Sequence, residues 1–553
     1  MESIIVNINN TDYIFDKGTT VSDAFEKALP YYTKTIFAAF CKGGVIELNE
    51  PLIADCTLHP VDYDSQEGMR IYERSLSLLV IAALKNLYPT KHAEIQDAVG
   101  KSLNIIMTDK TLTHCDVQAI EQEMHRLVDA KLDIKKYKWS VEEAIKFYRR
   151  TDQMDKVELL SYRRTPTITI YNLENSYDYF YGAMLPNTKF LSAFSLKARY
   201  PGMVINYPED SSMEIAKDII SHKKQYRVFD ESQRWCDILN VSTVADVNKM
   251  IENGKIREFI RINEALHDNS IAHIAKEVIS NNARIVLIFG PSCSGKTTFT
   301  HRLDVHLKVH GLQPVIISLD DFYKDRDTLP KLANGEIDLE TIDALDLDTM
   351  INCFDGLLSG EEVTIPIFDF KDGKRKPVGR TMHIKEDQPI LVEGIHAMND
   401  RITSRLPEHL TYGIYVSPLT CLKLDDHNRM HTSDARLLRR IVRDMQFRGT
   451  SVNDTINMWK SVREGEIKWI YPYQEKADIM FNTTLHYELP LLHSFIYSHL
   501  DKIGIDDKNY ISARRIVKSL NYFLPIGSEV IQEIPPLSIL REFIGGCSFY
   551  IRD

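Results

Sequence analysis

The chain has 553 residues, 44% hydrophobic and 26% charged, with a formal net charge of −11. That length exceeds one hydrophobic core, so about three or four domains are expected in a composition ordinary for globular protein. The acidic balance argues against broad nucleic-acid binding, no run reaches the roughly 18 apolar residues that cross a bilayer, and the cysteines are scattered without a C-x-x-C pair, which argues against a disulfide frame or a zinc site.

The start, MESIIVNINN, has no basic stretch followed by an apolar run, so a cytoplasmic protein is expected. Its thiols, Cys41, Cys56, Cys115, Cys236, Cys293, Cys353, Cys421 and Cys547, then read as reduced. Residues 1–65 read as a small α+β module: a hairpin of 4–8 with 13–15 across Asn9-Asn10, a helix over 21–29 opened by Thr20, and short strands near 38–41 and Val45. Residues 66–225 form a second mixed α+β region. Its helices are expected at 74–87, stopping before Pro89, and at 118–132 and 140–150, while 157–171 is richer in strand formers. Residues 226–280 read as a polar helical connector. Within 281–490, strand-length apolar runs at 285–289, 315–319, 390–392 and 412–416 alternate with amphipathic helices, the pattern of an α/β domain with a parallel sheet covered on both faces. Residues 491–553 read as a partly helical tail broken at Pro535-Pro536.

The most informative segment is Gly290-Pro-Ser-Cys-Ser-Gly295-Lys296-Thr297, which fits G-x-x-x-x-G-K-[ST] between a strand and a helix that runs through Phe299, Leu303 and Leu307 to Gly311. Glycines let the backbone turn so that N–H groups face phosphate oxygens, and the helix N-terminus adds partial positive charge. The candidate nucleotide contacts are Gly290, Ser292, Ser294, Gly295, Lys296, Thr297 and Thr298. Lys296 would meet the β- and γ-phosphates of ATP and Thr297 would ligate Mg²⁺.

Carboxylates that end strands of a parallel sheet face the same crevice as such a loop. Asp320 in Ser318-Leu-Asp-Asp-Phe-Tyr323 is placed to take a proton from an acceptor hydroxyl. Helix capping is the plain alternative for Asp320, and Asp321 is expected to cap or to face solvent. Glu393 ends the run Ile390-Leu-Val-Glu and has the position of a Walker B acid near Mg²⁺ or the attacking group. Arg436, Arg439, Arg440 and Arg443 recur at helical spacing and share a face suited to a lid over phosphates, or to a solvated surface.

GPSCSGKTT, SLDDFYKD, LETIDALD (339–346), IPIFDF (365–370), ILVEGIHA (390–397) and RRIVRDMQFRG (439–449) together resemble the uridine kinase and phosphoribulokinase family of P-loop kinases over about 283–485. The resemblance implies an ATP- and Mg²⁺-dependent kinase of a small-molecule hydroxyl, foremost the 5′-OH of a nucleoside. It implies Asp320 as general base, with Lys296, Arg443 and Arg448 stabilising charge. Tyr323, Glu340, Phe368, Phe370 and Arg440 would surround substrate, and Glu393 would lie near Mg²⁺. Gly373 stands where uridine–cytidine kinases carry a His against the pyrimidine, Met458 where they carry a Gln and Thr450 where they carry an Arg, which leaves uridine itself open. A phosphoribulose- or pantothenate-type acceptor is the alternative within the class; a tRNA- or rRNA-binding NTPase switch is the alternative outside it.

Residues 1–65 are similar to the TGS β-grasp module of threonyl-tRNA synthetases, and 66–210 to the editing domain that follows it. The carriers are Arg74-Ser-Leu-Ser-Leu78-Leu79, Leu87-Tyr-Pro89 and Asp178-Tyr-Phe180-Tyr-Gly182-Ala-Met184-Leu-Pro186-Asn-Thr188. Where the editing family has two His, a Cys and a further His, this chain has Arg74, Leu78, Phe180 and Met184, so neither a metal nor editing hydrolysis is expected there.

Overall fold

A computed structural model of the chain describes residues 2–215, 222–331, 335, 337–370, 372–420 and 422–549; Cys421 lies outside them. The first module builds on a hairpin, Ser3–Ile8 with Thr11–Asp16, paired Ile4 to Phe15 and Val6 to Tyr13. Asn9 and Asn10 turn it with φ of 51° and 64°, a conformation Asn tolerates. Thr20 caps the helix Val21–Ala28 by accepting from the Asp23 N–H. Strand Cys56–Asp62, which carries no clear alternation, slots between Ser3–Ile8 and Ile36–Cys41 to complete a five-stranded sheet. Ile4, Val6, Ile8 and Leu58 then bury against Val21 and Phe25.

In the second region the central helix is Gln66–Leu87, begun about two turns before the expected residue 74 because Ser65 caps it on the Gly68 N–H. Four strands (Ala93–Ala98, Ser102–Met107, Ser195–Arg199 and Gly202–Asn206) form one sheet beside it, and three more form another. The expectation of strand over 157–171 holds only at its end: Met154–Ser161 is helical, and the strand is Thr167–Leu173. Val157 and Leu160 lie one turn apart and bury together, so tertiary packing overrides β-propensity. The expected connector is three helices, Lys223–Leu239, Val244–Glu252 and Ile256–Ser280. The last sets Ile271, Ile274 and Val278 in the same core as Val286 and Ile288 of the next sheet.

That sheet positions the site. Its strands are β1 (Ile285–Phe289), β2 (Val315–Ser318), β3 (Ile390–Glu393), β4 (Thr411–Ser417) and β5 (Ile479–Asn482). They lie in the order β2-β3-β1-β4-β5, every pairing parallel. Helix α1 (Lys296–Val309) follows β1, helix α2 (Thr432–Phe447) packs its arginines against the loop between β1 and α1, and the tail ends in a short helix, α3 (Arg541–Ile544). β1 is buried along its whole length, as a strand covered on both faces must be. Among the described residues no helix is long and apolar enough to cross a membrane.

Candidate active site

The loop 290–297 joins β1 to α1. Gly290 is required by close approach, since a Cβ there would stand 1.9 Å from the Val416 carbonyl oxygen. Gly295 is required by conformation, with φ of 88°. Cys293 also takes the left-handed region, φ 59°. The Lys296 ammonium folds over the loop and donates to the carbonyls of Gly290 (3.0 Å) and Pro291 (3.2 Å). Ser292 and Thr297 are half-buried, whereas Ser294 and Thr298 are fully covered.

Parallel register brings the acids to the same edge: Glu393 pairs with Ile288 on one side and Ser318 on the other. Ser318 donates to Glu393 (3.1 Å) and accepts from the Asp320 N–H (3.3 Å). Capping of the turn Leu319–Phe322 therefore belongs to Ser318 and not to either aspartate. Asp321 does not cap that turn and is half-buried. Asp320 opens on the crevice. Loss of hydration raises its carboxyl, against the downward pull of Lys296, Arg448 and Arg443. Burial, and then the Asp320 charge, push Glu393 up to about 7. Thr297 and Glu393 carry oxygen donors of the kind a hard cation takes.

The arginine stripe divides in two. Arg436 and Arg439 are completely buried and clasp carboxylates: Arg436 donates to Glu466 (2.7 Å) and Arg439 to Glu488 (2.6 Å). From there they reach the backs of loop carbonyls, Arg436 to Ser292 (3.2 Å) and Arg439 to Cys293 (3.4 Å). The expectation that these two belong to a phosphate-facing stripe is thus corrected: they brace the loop from behind. Arg440 donates to the Ser292 hydroxyl (3.2 Å). Arg440, Arg443 and Arg448 share one carboxylate, Asp444, at 3.4, 3.0 and 3.5 Å. Three guanidiniums on one carboxylate leave an excess of positive charge beside the loop. In the sequence Asp444 reads only as an intrahelical partner.

Tyr323, Phe368 and Phe370 form one cluster, with centroids 5.7, 5.7 and 4.9 Å apart. The Tyr323 hydroxyl is spent on the Leu339 carbonyl (2.9 Å). Arg375, which lies outside the sequence motifs, ties this wall together by donating to the carbonyls of Tyr323 (2.9 Å) and Phe322 (3.0 Å). Glu340 is raised to about 7 by burial and by Glu466, with Arg440 and Lys296 acting oppositely. Around Gly373 the room is taken by Arg326, whose Cδ lies 2.3 Å from where a Cβ would start. In the N-terminal half, Arg74 pairs with Glu67 (2.8 Å), and Leu78, Phe180 and Met184 are packed into the core.

The model of the "Phosphoribulokinase / Uridine kinase family" matches residues 285–488. A uridine kinase of Staphylococcus aureus (strain JH9) is 30% identical over 197 residues, 35% of this chain and 86% of that protein. A threonine–tRNA ligase of Lawsonia intracellularis is 29% identical over 166 residues in the N-terminal part, 30% of this chain. Those residues span only 26% of the ligase. Among solved structures, a possible uridine kinase from Bacillus stearothermophilus aligns with 39% of this chain and 98% of its own, at 17% identity and a TM-score of 0.28. A D-glycerate 3-kinase from Cryptococcus neoformans aligns with 48% of this chain and 89% of its own, at 17% identity and a TM-score of 0.23.

Proposed function

Because the chain belongs, through its C-terminal region, to the phosphoribulokinase/uridine kinase family, we propose that it transfers the γ-phosphoryl group of ATP to a small-molecule hydroxyl, foremost the 5′-OH of a nucleoside. The observation that carries this reading is an acid, Asp320, at the end of β2 that feels the charges of Lys296 on the phosphate loop, of Arg448 at the end of α2 and of Arg443 on α2.

Asp320 takes the proton of the acceptor hydroxyl as its oxygen attacks phosphorus. A carboxyl raised by poor hydration is a stronger base than a free aspartate. Lys296, Arg440, Arg443 and Arg448 hold the charge on the phosphoryl oxygens, the part of phosphoryl transfer that proteins do most by electrostatics. Ser292, Ser294, Thr298 and the loop N–H groups bind the phosphates. Thr297, and Glu393 through water, would hold Mg²⁺, which would supply positive charge against the phosphates. Tyr323, Phe368 and Phe370 offer a flat apolar wall to a base, and Glu340 offers an acceptor to sugar hydroxyls. Arg326 over Gly373 gives the wall a different floor from one that carries a His, so the preferred base need not be uracil.

The test is phosphate transfer from ATP to a panel of nucleosides, with pantothenate and ribulose 5-phosphate alongside and Asp320→Asn as the blank. Label on one nucleoside, lost in the variant, is expected. Label only on a non-nucleoside would replace the acceptor and keep the kinase. ATP consumed with no acceptor labelled would overturn the reading.

A further inference from the structure

The C-terminal segment 534–549 lies on the first turns of α1. Ile539 packs on the loop's second glycine: a Cβ on Gly295 would meet its Cγ2 at 2.6 Å. Glu542, 5% exposed, accepts from the Thr298 hydroxyl (2.9 Å) and faces the Thr298 N–H (3.4 Å). Phe549 stacks on His301, centroids 5.2 Å apart. Gly295, Thr298 and His301 recur every three residues, so the segment covers one continuous face of α1 at the end that opens on the loop.

The segment is built to hold that position. Ile539, Leu540 and Phe543 are fully buried. Phe543 lies under the Arg439 guanidinium at 5.1 Å. Arg541 folds the segment by donating to the carbonyls of Ile534 (2.6 Å) and Ile531 (3.0 Å). The first turn of a helix has backbone N–H groups with no partner inside the helix, and these bind anions. In the phosphate loop they are the groups a nucleotide uses, and here a carboxylate stands against one of them. Its charge is also felt deeper in the site, where it adds to burial and Asp320 in raising Glu393.

We propose that segment 534–549 is a built-in competitor of the nucleotide: docked, Glu542 holds an anion position at the N-terminus of α1 that a nucleotide phosphate needs, and ATP binds as the segment lifts away. The inference rests on the reading of the loop as an ATP site. When only a minor fraction of molecules is open, apparent affinity falls by that fraction.

The test uses the full chain with a fluorescent ATP analogue and hydrogen exchange across 534–549. Glu542→Gln removes the charge and Ile539→Ala loosens the dock without touching it. Both are expected to bind the analogue about tenfold tighter than the parent, the change expected when a tenfold bias toward the docked state is removed. Nucleotide should also raise exchange in 534–549 of the parent. Lys296-dependent binding that neither variant tightens, with exchange unchanged, overturns the competitor and leaves the ATP site standing. Weaker binding in Glu542→Gln likewise overturns it, making Glu542 part of the nucleotide site. No binding beyond that of Lys296→Ala in any variant overturns the ATP site and the competitor with it.

Discussion

The acids at the crevice make the site sensitive to pH. Glu393 is held up at about 7, from an ordinary 4.5, by burial and by Asp320. The folded protein therefore carries a proton there that the unfolded chain has lost, and stability contributed by this group falls as pH rises from about 4.5 to about 7. Glu340, also raised to about 7, adds a second component of the same sign. Denaturant unfolding between these limits should show that slope, reduced but not abolished in Glu393→Gln. A cation needs the ionised carboxylate, so apparent Mg²⁺ affinity in turnover should strengthen up to about pH 7 and then level off, with a flatter profile in the variant. Legibility at this scale followed sequence locality. Gly290, Gly295, Lys296, Asp320 and Glu393 stand in short motifs tied to strand ends. Glu542 could not be read, because it reaches Thr298 from 244 residues away. Asp444 could not be read as a shared anchor, because its local spacing already explains it as a helix pair.

At the scale of the element, helix α2 does two jobs with one stripe of arginines. Arg436 and Arg439 are sealed with Glu466 and Glu488 behind the loop, and Arg448 is exposed at the helix end. Breaking a buried pair from one side strands a charge and costs about 3–5 kcal/mol. Arg436→Ala should therefore lower the denaturant midpoint sharply. Arg448→Ala should leave the midpoint in place and reduce turnover, since its partner Asp444 keeps two other guanidiniums. The reverse ranking would show that the division of the stripe is wrong. Helical spacing put the arginines on one face, but which neighbours that face meets is a tertiary fact. The helix Met154–Ser161 is hidden in the sequence for the same reason: its apolar residues fit either period, and only packing chooses.

Across the whole molecule, the synthetase-like half and the phosphate-loop domain are locked by buried charge. Lys156 has no exposed surface and lies 3.2 Å from both Asp178 and Asp425, one carboxylate from each side. Burial opposes its charge, but these aspartates with Asp155 outweigh that and raise the ammonium above its ordinary value. Tyr179 adds a hydrogen bond to Asp425 (2.5 Å), and Arg70 pairs with Asp434 (3.1 Å). Lys156→Met should destabilise by about 3–5 kcal/mol, the cost of stranding buried aspartates. Calorimetry should show the parent's unfolding split into separate transitions, whereas an unchanged single transition would count against the lock. The order of modules was legible in the chain. Their fusion into a shared core was not, because the helices of 223–280 look polar until their apolar stripe meets the sheet.

The most direct measurement is where the γ-phosphorus of ATP goes, followed by phosphorus NMR with the acceptor that the panel selects. The account predicts a phosphate ester on the acceptor in the parent and about 10²- to 10⁴-fold slower formation in Asp320→Asn, the usual contribution of a positioned general base, with nucleotide binding retained. Phosphorus recovered only as inorganic phosphate, or an ester formed equally fast in the variant, would contradict it.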